Sequence, residues 1–274
     1  MSEIKLYAMT CGWLLAPYGL FQRGQTGELA VPIPSYLIDH PKGLVIFDTG
    51  LEQQLQYADT PEKLEAALGG FAEDVSVRFL PGENVSERLK TYGFEPEKIR
   101  FLVNSHLHYD HCGGNALIPN AQHVLQKREW QAANNPEQIE RNGYFSRHYD
   151  LGHDRLLVDG DYDLFGDGSV LLMATYGHTP GHQSLRISVE GHSVVITSDA
   201  CYLKSTLEKL ILPDPKVVND QDAMLKNYAL FNRLKEQGAV VLYGHDPEQY
   251  KTLTDGALRR VTAQQLKAAQ RAGM

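Results

Sequence analysis

The run Ser105-His106-Leu107-His108-Tyr109-Asp110-His111 constrains this 274-residue chain more than any other stretch. Four groups able to bind a metal, His106, His108, Asp110 and His111, fall within six residues, immediately after the apolar segment 99–104. On a helix, successive side chains step around the axis by about 100°, so positions i, i+2, i+4 and i+5 do not share a face. They suit a loop just past a strand end, where the backbone can aim them at two centres. Imidazole nitrogen and carboxylate oxygen are donors that Zn²⁺, Fe²⁺, Mn²⁺ and Co²⁺ accept. Any one of these histidines alone reads as an ordinary core or surface residue. Four ligand types packed behind an apolar strand do not.

Four groups cannot complete two metal sites, so further ligands are required. Three candidates stand at strand ends: Gly177-His178-Thr179-Pro180-Gly181-His182 after the strand 170–175, Asp199 after a hairpin, and His245 after the strand 239–243. Loops at one edge of a packed sheet are where a rigid scaffold gathers such groups. Spacing leaves His178 and His182 as alternatives. His40, His123, His148, His153 and His192 lack this placement and read as solvated or structural.

Around these motifs strands and helices interleave. Apolar runs predict strands at 4–9, 36–39, 44–48, 99–104, 121–126, 170–175 and 239–243, and a hairpin over 185–189 and 193–198. Helical spacing predicts helices at 61–68, 85–92, 127–133, 223–237 and 256–272. The hairpins 35–48 and 184–199 echo each other. Each ends on an aspartate, Asp48 or Asp199, and each is followed by helix-like sequence and an apolar strand. Those strands close on Ser105-His106 and Gly244-His245. The pattern implies an α+β chain, a four-layer αββα sandwich of two pseudo-symmetric halves, in one domain over 1–274. An N-terminal loop (about 10–34, with 11–21 as loop or strand) and a mid-chain insertion (about 134–161) fall outside it. Trp13, Leu14, Leu15, Tyr18 and Phe21 in the first are candidates to line a substrate groove, and Tyr144, Phe145 and Tyr149 in the second to cover it.

With 34 acidic against 26 basic residues the net charge is −8, which disfavours nucleic acid and anionic membrane as partners. Cys11, Cys112 and Cys201 form no CxxC pair and indicate a reduced protein; Cys201 reads as a small packed hydrophobe. No apolar run approaches the roughly 18–20 residues that span a bilayer. No signal peptide is recognisable, so the cytoplasm is the expected location, with the protein a monomer or homodimer.

The motif HxHxDH, with Phe47-Asp48-Thr49-Gly50, Gly177-His178, Ser198-Asp199-Ala200 and Gly244-His245 in that order, resembles the metallo-β-lactamase-fold hydrolases over nearly the whole chain. The resemblance implies two divalent metal ions, Zn²⁺ first, with Fe, Mn or Co as alternatives. It implies that His106, His108 and His178 bind one, that Asp110, His111 and His245 bind the other, and that Asp199 bridges them. Asp48 would orient the ligand loop through hydrogen bonds. Asp199 stands where zinc β-lactamases often carry Cys, and His108 where flavo-diiron oxidoreductases carry Glu. The acidic chain lacks the basic exosite of the tRNA-processing nucleases, and the tail after His245 is shorter than the glutathione-binding segment of glyoxalase II.

Asp199-Ala200-Cys201-Tyr202 and Gly244-His245-Asp246-Pro247-Glu248-Gln249 resemble the quorum-quenching N-acyl-homoserine lactonases, which place a tyrosine three residues after the bridging aspartate. The expectation is therefore a lactonase acting on a small-molecule lactone. Hydroxide from a bridging water opens the ring, Tyr202 donates a hydrogen bond to the carbonyl oxygen, and Asp110 hands a proton to the leaving oxygen. Alternatives are a hydrolase of another small lactone such as 4-pyridoxolactone, a glyoxalase II-like thioesterase, or a metal-binding protein without turnover. Tyr202 also fits ordinary aromatic packing.

Overall fold

The computed structural model describes residues 4–272. Its strands in chain order are β1 (Lys5–Pro17), β2 (Glu28–His40), β3 (Gly43–Phe47), β4 (Ser76–Arg78), β5 (Ile99–Val103), β6 (Gln122–Gln126), β7 (Arg155–Val158), β8 (Tyr162–Asp163), β9 (Val170–Ala174), β10 (Gln183–Val189), β11 (His192–Ile196), β12 (Val240–Leu242) and β13 (Arg259–Val261). One sheet runs β13-β1-β2-β3-β5-β6-β7, with β4 also paired to β1; the other runs β12-β11-β10-β9-β8.

Alternate side chains of a strand point to opposite faces of its sheet. Leu6, Ala8, Ile38, Val45 and Phe101 of the first sheet meet Leu172, Leu185, Ile187, Val194 and Leu242 of the second in one buried core. The intervening residues face outward. Met9, Leu37, Ile46 and Leu102 pack on Val85 and Leu89 of the helix Val85–Thr91. Val195 and Val241 pack on Met224, Tyr228, Phe231 and Leu234, the apolar stripe of the helix Gln221–Glu236. Asp220 starts that helix by accepting the Ala223 N–H at 3.0 Å. The order of layers is helix, sheet, sheet, helix, as the sequence predicts.

The echo between the two hairpins is present in the topology. β2 pairs antiparallel with β3, which pairs parallel with β5. β10 pairs antiparallel with β11, which pairs parallel with β12. Parallel neighbours end at the same sheet edge. Asp48 and His106 therefore leave the first sheet side by side, and Asp199 and His245 leave the second in the same way.

Three segments differ from expectation. The stretch 10–34 is mostly strand: β1 continues to Pro17 and pairs with β2 as far as Pro17↔Glu28, across a register shift between Thr10 and Trp13. Gly12, at φ 113°, and the prolines Pro32 and Pro34 break the alternating signal there. The insertion 134–161 contains the short helices Pro136–Asn142 and Ser146–Tyr149 as well as β7. The last helix starts at Ala263 rather than 256, because the preceding residues pair as β13 with β1 and Thr262 caps the helix. Among the described residues no helix is long and apolar enough to cross a membrane.

Candidate metal centre

All seven candidate ligands follow the C-terminal ends of strands. His106 and His108 lie in the loop after β5, and Asp110 and His111 on the single helical turn Tyr109–Cys112. His178 follows β9, Asp199 sits in the turn Ser198–Ala200 after β11, and His245 follows β12. Close approach of backbones makes this possible. A Cβ on Gly244 would stand 2.5 Å from the Ser198 carbonyl oxygen, and one on Gly177 2.8 Å from the Met224 nitrogen. Only glycine lets His245 and His178 reach the cluster along these paths.

Three ring nitrogens form a tight triangle. His106 Nε2 is 3.0 Å from His108 Nδ1 and 3.1 Å from His178 Nε2, and the latter two are 3.0 Å apart. Asp199 Oδ2 lies 3.4 Å from His178 Nε2 and 3.8 Å from His106 Nε2. Ligand atoms around a tetrahedral cation with bonds of about 2.0 Å stand about 3.3 Å apart, so this set matches one ion. Asp199 Oδ1 faces the other way, 3.2 Å from His111 Nε2 and 3.1 Å from His245 Nε2. Asp110 Oδ2 is 3.4 and 3.8 Å from the same two nitrogens. His106, His108, His178 and Asp199 form one group that could hold a metal ion, and Asp110, His111 and His245 a second.

The outer ring nitrogens are tied down. His245 Nδ1 donates to the Pro32 carbonyl at 2.8 Å and His178 Nδ1 to the Val217 carbonyl at 2.7 Å. Each bond leaves the Nε2 lone pair aimed at the cluster. Asp48 accepts from His111 Nδ1 at 2.9 Å, from Ser105 Oγ at 2.8 Å and from the Ser105 N–H at 2.7 Å. Ser198 Oγ in turn donates to Ser105 Oγ at 2.9 Å, joining the two halves beneath the ligands. A serine beside a ligand has no periodic signature, so this support was not legible as such. His182, buried with its Nδ1 2.9 Å from Thr175 Oγ1, belongs to neither ligand group.

Burial pushes His106 and His178 below their ordinary values and His108 down to about 3. At His111 and His245 burial works the same way, but the facing carboxylates of Asp199 and Asp110 outweigh it and raise both. Burial opposes the Asp199 anion as well, yet His111 and His245 hold its carboxyl well below the usual range. His111 Nε2 and Asp199 Oδ1 are buried without a hydrogen-bond partner. Buried polar atoms are nearly always satisfied, so an orphaned acceptor facing ring nitrogens fits a cation between them.

A cavity of about 150 Å³ opens onto His108, Asp110, His178, Asp199 and His245. Leu14 and Ala16 of β1, Leu20 and Phe21 of the following turn, and Phe71, Val75 and Val217 form its apolar wall, with Asp74 and Lys216 3.9 Å apart among the lining residues. Tyr202 also lines it, its hydroxyl 3.2 Å from His178 Nδ1 and its ring edge-on to Phe21. Phe71 and Val217 sit on short 3₁₀ turns, which carry no hydrophobic period and escaped sequence reading. Tyr144, Phe145 and Tyr149 are absent from this wall: Tyr144 lies 5.8 Å ring to ring from His108, and Phe145 6.4 Å from Phe71.

The model of the metallo-beta-lactamase superfamily matches residues 30–245. The chain belongs to this superfamily. Among its members, the chain is 30% identical over 261 residues to the N-acyl homoserine lactonase AttM of Azorhizobium caulinodans, covering 91% of this chain and 96% of the relative. It is also 30% identical over 260 residues to the N-acyl homoserine lactonase AiiA of Bacillus thuringiensis subsp. kurstaki, covering 92% and 97%. A solved metallo-beta-lactamase-fold structure of an N-acyl homoserine lactone hydrolase, with the product N-hexanoyl-L-homoserine bound at the catalytic metal center, superposes with a TM-score of 0.80. It shares 27% identity and is covered to 98%, against 93% of this chain. The dizinc quorum-quenching lactonase AidC, at 17% identity and a TM-score of 0.66, shares the fold.

Proposed function

We propose that this superfamily member is a dinuclear metal-dependent lactonase that opens the ring of N-acyl homoserine lactones. One observation carries the reading. An apolar cavity ends on Asp199, whose two oxygens face separate ligand groups, with the Tyr202 hydroxyl beside them. Similarity to lactonases over nearly the whole chain supports it.

In this reading His106, His108 and His178 would hold one cation and Asp110, His111 and His245 the other, with Asp199 able to serve both. The mixed imidazole–carboxylate set suits Zn²⁺ and also accepts Fe, Mn or Co. Two such cations would lower the pKa of a water held between them and polarise the lactone carbonyl. The apolar wall of Leu14, Ala16, Leu20 and Phe21, which Trp13, Leu15 and Tyr18 do not join, takes the acyl chain and keeps water from it. Tyr202 donates its O–H to the carbonyl oxygen as negative charge grows there. Burial, reinforced by Asp199, pushes its hydroxyl well above the ordinary value, so it remains a protonated donor at neutral pH. Asp110, an ionised carboxylate, would take the proton that the attacking water gives up and pass it to the ring oxygen as the acyl C–O bond breaks. The partner is a small molecule, not nucleic acid or a membrane, and the protein acts as a monomer or homodimer. Three buried free thiols suit the reducing cytoplasm.

The test is a substrate panel on metal-loaded protein: homoserine lactones with short to long N-acyl chains, 4-pyridoxolactone, and a glutathione thioester. Ring opening of the acyl-homoserine lactones ahead of the other two is expected. Preference for 4-pyridoxolactone or the thioester would contradict the reading.

A further inference from the structure

Glu129 is a fully buried carboxylate outside both ligand groups, on the helix Lys127–Ala132 that follows β6. It has no ion-pair partner among the described residues; four neutral donors surround it instead. Oε1 accepts the Leu107 N–H at 3.1 Å and the Tyr144 O–H at 2.9 Å. Oε2 accepts the Thr179 O–H and the Gly181 N–H, both at 2.8 Å. Each donor comes from a segment that matters. Leu107 lies between His106 and His108, Thr179 follows His178, and Tyr144 lies with its ring near that of His108. Gly181 reports the contact independently: a Cβ there would stand 2.1 Å from the Glu129 nitrogen, so this loop is seated directly on the helix.

We infer that Glu129 is a positioning residue that clamps the His106–His108 loop to the His178 loop and so sets the three-imidazole site. The inference rests on the metal reading proposed above. The carboxylate has about four acceptor positions, and all four are used by donors. A carboxyl is expensive to bury: burial pushes Glu129 above its ordinary value, and the four hydrogen bonds oppose that shift. A glutamine cannot replace it. Its amide nitrogen accepts nothing, so either the Leu107 and Tyr144 pair or the Thr179 and Gly181 pair is left facing a donor.

The experiment titrates metal-free protein with Zn²⁺ against a chromophoric chelator, and with Co²⁺ by its visible absorption, for the parent, Glu129→Gln and Tyr144→Phe. The melting temperature of each metal-free form is measured alongside. Expected for Glu129→Gln is a roughly 10- to 100-fold weaker affinity for one of two equivalents, with the other near the parent value and an altered Co²⁺ spectrum. Tyr144→Phe, which removes one donor and leaves the carboxylate, should weaken the same equivalent by several-fold; it decides the matter alone if Glu129→Gln does not fold. Parent-like affinities in both variants, or equal weakening of both equivalents, would overturn the inference while leaving the metal reading intact. A parent protein that binds no metal would overturn both.

Discussion

At Asp199 one carboxylate faces four imidazole rings, two from each oxygen, in a setting where an uncompensated charge would be costly. In the proposed reading its removal would take a ligand from the first group and the carboxylate facing His111 and His245 from the second. Asp199→Ala should lose bound metal, measured by elemental analysis, and nearly all ring opening. Tyr202 differs in kind because it touches the cavity and His178 but neither ligand group requires it. Tyr202→Phe should keep its metal and lose on the order of 10²-fold in kcat; loss of metal instead would make the tyrosine a structural support. His123 supplies a pH test away from the ligands. Burial, with His153 and Arg155 nearby, lowers it to about 3, and its Nε2 is 2.7 Å from Asn104 Oδ1. Between the ordinary value near 6.5 and about 3, the unfolded chain binds a proton there that the folded chain does not, so stability falls as pH falls across that window. The slope is about 1.4 kcal/mol per pH unit from this group. His123→Gln retains an N–H for Asn104 but does not titrate. Urea unfolding midpoints of this variant should change less between pH 6.5 and 4 than those of the parent.

Among the elements, turns at strand ends do most of the positioning; their places are legible in sequence and their backbone geometry is not. The turn after β3 shows why. Asp48 adopts φ 59° and Gly50 φ 74°, and a Cβ on Gly50 would stand 2.1 Å from Cys11 Cβ. Gly50→Ala should therefore destabilise by about 2 kcal/mol or more, seen as a lower melting temperature, although residue 50 touches no ligand. The ligand-bearing turns could be located because apolar strands announce where they start. The two-sheet architecture was legible for the same reason, from runs such as 99–104 and 239–243. The outer half of the β1–β2 ribbon was not, since Gly12, Pro32 and Pro34 interrupt its alternation and pairing alone makes it a strand. Nor was the wall formed by Phe71 and Val217, which a single 3₁₀ turn each presents to the cavity. Glu129 escaped because one carboxylate in Lys127-Arg128-Glu129 looks like part of a solvated charge run until the fold buries it.

For the whole molecule, two similar halves each bring an aspartate and a histidine to a shared edge, and the two edges face each other. The halves do not use them alike. Asp48 of the first half became a support beneath His111, whereas Asp199 of the second faces both ligand groups. The apolar cavity above belongs to neither half's core: β1, its following turn and the 3₁₀ segments near 71 and 217 enclose it. A neutral, amphipathic lactone with an acyl tail fits such a space better than a polyanion does, in keeping with the chain's net charge of −8. The most direct measurement is ring opening of N-hexanoyl homoserine lactone by metal-free protein as Zn²⁺ is added in known equivalents. A negligible rate without metal, and a rise that levels at two equivalents per chain, are expected. Ring opening that is independent of metal, or absent at two equivalents, would contradict the lactonase reading.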